Sequence, residues 1–287
     1  MDVALTRDMT TPATHTSTLT TLVVGAGKTG RRIADRLRGA EVPHRLASRS
    51  ASVPFDWDDR ESWAPALDGA QAVYLSFAPD LAVPGASETV GALARQAVDS
   101  GARRLVLLSG RGEAEAQEAE KAVQDAGAEW TIVRASWFDQ NFSEGHLLDP
   151  LLTGTLALPV GEVGEPFIDA DDIAEVAVAA LTEAGHAGEL YEATGPRLLS
   201  FAEAVAAIAA VSGRELRFES VDLAAYRVEL EREQVPAEVV ELLGYLFSEV
   251  LDGRNESLGD GVQRALGRPP RDFAEFARAA AASGAWA

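Results

Sequence analysis

Short apolar runs, each closed by a glycine or polar turn, alternate over the first half of the chain with longer segments whose apolar residues recur at helical spacing. The first run is Thr21-Leu22-Val23-Val24. Beyond it Ile33, Ala34 and Leu37 fall on one helix face and the arginines on another, up to about Gly39-Ala40, with Pro43 marking the break. The same pattern predicts strands over 44–47, 53–57, 72–77, 104–109 and 130–134. Helices are predicted around Trp63 and Leu67, over 87–100 and over 113–126. Strands alternating with helices at this spacing predict an α/β fold, a Rossmann-type doubly wound parallel sheet.

From about Leu147 the regularity loosens. Short strands are expected over 166–169, 190–193 and 216–218, a helix opening at Asp171 or Asp172, and a helix over 200–211. Residues 235–251 are amphipathic, with Val239, Leu242, Leu243, Leu246, Phe247 and Val250 at helical spacing. The pattern divides the chain into a Thr-rich disordered leader over 1–19, a Rossmann-type α/β domain over 20–146 and a smaller, mostly helical C-terminal lobe over 147–287. That lobe covers the crevice and re-enters the sheet edge in places. Its amphipathic helices suit the second lobe or a homodimer seam equally well.

The first strand leads straight into Gly25-Ala26-Gly27-Lys28-Thr29-Gly30, a G-x-G-x-x-G run between strand and helix, where a dinucleotide fingerprint belongs. Gly25 permits the tight turn, Gly27 lets backbone approach a pyrophosphate, and Gly30 lets the helix pack close. The anion then rests on unpaired N–H groups at the helix N-terminus. An NAD site usually places Asp or Glu at the end of the second strand to hold the ribose 2′-hydroxyl. Here Ser48 and Arg49 stand there, a hydroxyl and a guanidinium suited to a 2′-phosphate, with Lys28 as a second cation, so NADP (as NADPH) is expected over NAD. Asp56, followed by Trp57, either faces the adenine amino group or caps the next helix. Ligands of such a sheet lie outside the C-terminal strand ends. That rule gathers Gly25 to Gly30, Ser48, Arg49, Asp56, Ser76, Phe77, Ala78, Pro79, Ser109 and Gly110 around one crevice. Trp137, Phe138, Asn141 and Phe142 follow the sixth strand, where the rings either stack on a flat or cyclic substrate or form core beneath a loop.

Composition narrows the partners. Among 287 residues, 25 Lys and Arg stand against 45 Asp and Glu, a formal charge of -20. Such a surface repels phosphate backbones and anionic lipid, so a small-molecule substrate is expected as partner, rather than nucleic acid or membrane. There is no cysteine, which excludes a thiol nucleophile and zinc–thiolate sites, and the four histidines are scattered without metal-ligand spacing. No apolar run is long enough to span a bilayer. A soluble, cytoplasmic protein is the expectation.

The chain resembles the NmrA-like branch of the atypical short-chain dehydrogenases/reductases, within it the festuclavine/agroclavine dehydrogenase group and its bacterial relatives. The likeness rests on Gly27-Lys28-Thr29, Ser48-Arg49-Ser50, Phe55-Asp56-Trp57, Val73-Tyr74-Leu75, residues 104–109, Trp137-Phe138-x-x-Asn141-Phe142, residues 167–174 and Gly267-Arg268-Pro269-Pro270-Arg271-x-Phe273-x-x-Phe276. It spans about residues 20 to 287 and implies NADPH-dependent hydride delivery to a cyclic imine or iminium. Gly-Ala-Gly replaces the relatives' Gly-Gly-x-Gly or Gly-Ala-Thr-Gly, and Ala135 stands where many have proline.

Ordinary short-chain reductases protonate a carbonyl through Ser and Tyr-x-x-x-Lys. Here Ser109 and Lys121 are the catalytic candidates, but Gln117 precedes Lys121 by four positions and all four tyrosines lie elsewhere. An iminium already carries its charge and needs only positioning. The alternative is a non-catalytic NADP(H)-sensing regulator that acts through a protein partner. Glu113 and Asp139 are the acids nearest the crevice and read as surface charges.

Overall fold

The computed structural model describes residues 20–287, so the expected leader lies outside the described residues. Seven parallel strands form the central sheet: β1 Thr21–Val24, β2 His44–Ser48, β3 Val53–Pro54, β4 Ala72–Leu75, β5 Arg104–Gly110, β6 Glu129–Ala135 and, after an excursion, β8 Glu189–Ala193. Their order is β3-β2-β1-β4-β5-β6-β8. The chain steps outward from β1 through β2 and β3, then crosses back to place β4 on the other side of β1. The crevice of a doubly wound sheet opens at this reversal.

Strand alternation builds two cores. Leu22, Val24, Val73, Leu75, Leu105 and Leu107 face one side, packed under α2 Trp63–Leu67, α3 Ala86–Asp99 and α4 Ala114–Gln124. Val23, Tyr74, Val106 and Val133 face the other, under α1 Lys28–Gly39 and, from later in the chain, α7 Ala170–Thr182. With both faces covered the strands are apolar throughout, which is why they read as short continuous runs.

A third core forms the C-terminal lobe around Phe142, Phe167, Phe201, Phe273 and Phe276. It gathers α5 Asn141–Glu144, α6 Leu148–Thr153, α8 Phe201–Ser212, α9 Leu223–Arg232, α10 Ala237–Tyr245 and α12 Phe273–Ala282. A two-stranded parallel ribbon, β7 Thr155–Leu158 with β9 Arg217–Ser220, joins them. The amphipathic stretch divides into α10 and a π-helical turn, Leu246–Val250. Ser200 opens α8 with a full capping box to Glu203.

Three local expectations shift. The third strand shrinks to an edge pair, because Pro54 has no N–H to continue the ladder. Residues 166–169 make a single bridge, Phe138 to Ile168, before Asp169 takes over as N-cap of α7 by accepting the Asp171 N–H at 2.8 Å. Residues 216–218 slide to β9. The Gly267-to-Phe276 motif gains a structural role. It spans the end of α11 Gly261–Leu266 and the start of α12, where Arg268 and Arg271 clasp Asp172 and Glu175 of α7. Burial pulls the Glu175 carboxyl up, and the two guanidinium groups overcome it, holding the acid down to about 2.

Candidate active site

A cleft of about 890 Å³ lies across the C-terminal ends of β2, β1, β4, β5 and β6. At its centre the glycine loop turns into α1. Gly25 adopts φ +100° with Ser76 close by: a Cβ there would approach the Ser76 carbonyl to 3.1 Å. Gly27 is the N-cap of α1, with no side chain capping the helix and no acid in its first turn. A Cβ on Gly27 would meet nothing within 4 Å. An uncapped N-terminus beneath an open glycine is the cradle a pyrophosphate requires. Gly30 does not line the cleft. Its Cα lies so near the Gly25 carbonyl that a Cβ would come within 1.8 Å, so it serves close packing alone. Thr29 lines the cleft, and its hydroxyl accepts from the buried Tyr74 hydroxyl at 2.9 Å.

On the β2 side Ser48, Arg49 and Ser50 form the rim. Arg49 is exposed, and none of the ion pairs among the described residues engages it, so its guanidinium is available to an anionic ligand. Lys28 corrects an expectation. Lys28 still lines the cleft, but its ammonium lies toward α5, where a Cβ on Gly145 would meet it at 3.0 Å. Burial lowers its pKa, and Glu144 opposes that. Asp56 lines the wall, and Asp59 instead caps the short 3-10 turn Arg60–Ser62 that leads into α2, accepting the Glu61 N–H at 3.1 Å. Trp57 is 8% exposed, with its indole N–H donated to the Ser76 carbonyl and its ring 4.9 Å from that of Phe77. Ala26, Ser76, Phe77, Ala78 and Pro79 complete this half.

On the far half Ser109, Gly110, Ser136, Trp137, Phe138 and Asn141 line the ends of β5 and β6. The helix α10 and the turn after it close the top with Val239, Leu242, Leu243 and Leu246. The stripe was legible as amphipathic; that it roofs the cleft depends on the lobe's packing. Phe142 is core, not substrate wall. It is fully buried against Phe167 and Phe273, each ring 5.4 Å away, because the turn of α5 sends it into the lobe while Asn141 stays on the cleft.

Residues 25–184 match the NAD(P)H-binding family. The chain is 34% identical to the uncharacterized oxidoreductase YesF of Bacillus subtilis (strain 168), covering 90% of this chain and 93% of that protein. It is 30% identical to agroclavine dehydrogenase of Claviceps purpurea (strain 20.1), with 89% and 95% covered. The Escherichia coli NADPH-dependent quinone oxidoreductase QOR2, solved with NADPH, shares the fold at TM-score 0.76 and 20% identity, covering 90% of this chain and 98% of that one. The chain belongs to the NAD(P)H-binding, NmrA-like atypical short-chain dehydrogenases/reductases. This is a family of NAD(P)H-dependent oxidoreductases. Among the described residues no helix is long and apolar enough to cross a membrane.

Against the ordinary reductase pattern, this NmrA-like chain places Ser109 in the cleft but commits its hydroxyl. The Oγ donates to Glu120 at 2.6 Å, and Glu120 is itself bridged to Arg134 at 2.5 Å. Ser109 therefore offers a ligand only lone pairs. Lys121 lies outside the cleft. Ala116, Ala119, Glu120 and Val123 form the buried stripe of α4, so Lys121 falls on the solvent face, 73% exposed and paired with Asp125 at 2.9 Å. Neither Ser109 nor Lys121 is a proton donor in this arrangement.

The acids that read as surface charges are buried. Glu113 is 7% exposed and lines the cleft beside Asp80. Glu165, which carried no sequence signal, accepts the Trp137 backbone N–H at 3.1 Å and so fixes the loop that presents that ring; burial pushes its carboxyl up to about 7. Asp139 is fully buried, with neither carboxyl oxygen hydrogen-bonded. Burial, then the charges of Asp169, Asp172 and Asp272, raise it well above the ordinary range. A raised folded-state pKa means the native state binds the extra proton. Stability from this group is present below the unfolded value, about 3.9, and is lost as pH rises toward the folded value. Asp139→Asn removes that loss. Its stability relative to wild type is expected to grow with pH, by at most about 1.4 kcal/mol per unit. Urea melts from pH 5 to 8 in which the difference stays flat would overturn this.

Proposed function

We propose that the chain is an NADPH-dependent reductase that delivers hydride to a small cyclic imine, an iminium or a related unsaturated acceptor. The observation that carries this reading is the apolar roof. Trp137 and Phe138 with Val239, Leu242 and Leu246 enclose the β5–β6 half of the cleft, at the opposite end from Arg49. A dinucleotide whose 2′-phosphate meets Arg49 and whose pyrophosphate meets α1 directs its nicotinamide toward that roof. The Arg49 guanidinium, in no ion pair among the described residues, supports NADPH over NADH. When bound, the cofactor supplies the hydride. The chain's own part is to hold the acceptor flat under Trp137, exclude water with α10, and keep the Ser109 hydroxyl oriented by Glu120. The relative named agroclavine dehydrogenase is, by its name, a dehydrogenase of one compound, which supports redox chemistry on a small-molecule acceptor. The acidic surface favours a small-molecule partner, and NADPH use suits the cytoplasm.

The test is absorbance of NADPH mixed with protein and a panel of cyclic imines, N-alkyl iminium ions, enones and quinones. Consumption with at least one class is expected. A flat trace across the panel, with NADPH shown to bind by titration, would leave a cofactor-sensing regulator as the reading.

A further inference from the structure

At the centre of the cleft, between the glycine loop and the apolar roof, two carboxyl groups meet. Asp80 follows β4 and Glu113 precedes α4. Gly110 leaves room for Glu113: a Cβ there would lie 2.1 Å from its Oε1, so a side chain at the end of β5 would push the carboxyl aside. Glu113 is 7% exposed, and its Oε2 has no hydrogen-bond partner. Asp80 accepts the Ala82 backbone N–H at 2.9 Å, and burial first, then the neighbouring Asp80 charge, favour the protonated form of Glu113. The other titratable groups facing it are Glu115 and Glu120 of α4, together with Tyr245 at the end of α10, whose hydroxyl donates to Glu115. Arg111, the nearest cation in sequence, is turned away to the carbonyls of Asn255 and Ser257, both at 2.8 Å. A neutral carboxylic acid in a cleft of this kind is a proton donor in waiting.

We propose that Glu113 is the acid that completes reduction of a neutral unsaturated acceptor, with the Asp80 carboxylate beside it positioning the proton. The inference rests on the reductase reading and narrows its substrate class. Hydride arriving from the reduced nicotinamide dinucleotide forms a C–H bond at the β-carbon of an enone, and the C=C pair moves through to oxygen. The enolate takes the Glu113 proton, leaving a saturated ketone, oxidised dinucleotide and the Glu113 carboxylate. That carboxylate recovers its proton from water on the Asp80 side. The tyrosine missing from α4 is thereby replaced by a glutamate from the same strand-to-helix turn. An iminium needs no proton and gains little from this acid.

Glu113→Gln keeps the shape and removes the acid. The ratio of enone to N-alkyl iminium turnover is expected to fall about 100-fold or more, the usual worth of a general acid. The iminium rate in the same sample reports folding and cofactor binding. Asp80→Asn removes the charge that raises Glu113, so the alkaline fall of enone kcat/KM moves to lower pH. A readout without cofactor comes from the infrared carboxylic-acid band at neutral pH. In the wild-type-minus-Glu113→Gln difference spectrum, where the raised carboxyls of Asp139 and Glu165 cancel, one such band is expected, and it titrates away around pH 9, since burial and Asp80 push this carboxyl up to about 9. Equal slowing of both substrate classes, or an ionised Glu113 at neutral pH, overturns the proposal while the reductase stands. Wild type inert toward the whole panel removes both.

Discussion

Arg49→Asp is expected to weaken NADPH binding roughly 100-fold or more while changing NADH affinity less than about threefold. Charge-assisted hydrogen bonds from a guanidinium to a phosphate contribute about 1.5–3 kcal/mol, and reversing the charge adds repulsion from a near-dianion. Each 1.4 kcal/mol is a factor of ten. Arg49 is exposed at the cleft rim, so the fold has little stake in it and the melting temperature should hold. Isothermal titration with the two cofactors decides the matter. Equal loss for both would remove the 2′-phosphate role and leave Arg49 a solvated charge.

Two glycines three positions apart are expected to fail in different ways when replaced by valine. In Gly30→Val the new Cβ would sit 1.8 Å from the Gly25 carbonyl, backbone that cannot move without opening the loop. A loss of about 3 kcal/mol or more is expected, from overpacking together with the displaced turn. In Gly27→Val the Cβ meets nothing within 4 Å, and the fold loses only about 1 kcal/mol for a poor N-cap. The valine methyls then stand where pyrophosphate approaches α1, so NADPH and NADH should both bind at least about 100-fold more weakly. Thermal melts paired with titrations separate the cases. A Gly27→Val protein that melts within about 3 °C of wild type yet binds normally would show that no phosphate lies over this loop.

The glycine loop, the Ser48-Arg49 rim and the walls at Asp56, Ser76 to Pro79 and Ser109-Gly110 were legible because doubly wound sheets place them by rule. Each follows a short apolar strand, and the strand ends converge on one edge. Lys28 was misread because proximity in sequence says nothing of where a four-carbon stem points. Lys121 departs from the family's spacing because the buried stripe of α4 turns it to solvent, and no tyrosine precedes it on that helix. Phe142 and Trp137 carry the same aromatic signal, and the phase of one short turn divides them between core and cleft.

The sequence by itself determined the alternation of strand and helix, the nucleotide end of the cleft and the family, since these depend on local periodicity and on residues adjacent in the chain. The expected return of the lobe to the sheet edge and its cover over the crevice were legible too; only the tertiary structure decided that the returning strand is β8, that α10 forms the roof, and that Glu113 lies buried against Asp80. A carboxyl's burial and protonation depend on what distant segments bring to it. Gly110 makes the space, the roof removes water, and Asp80 supplies the neighbouring charge. Gly110 stands three residues before Glu113, but the roof and Asp80 reach it only through the fold.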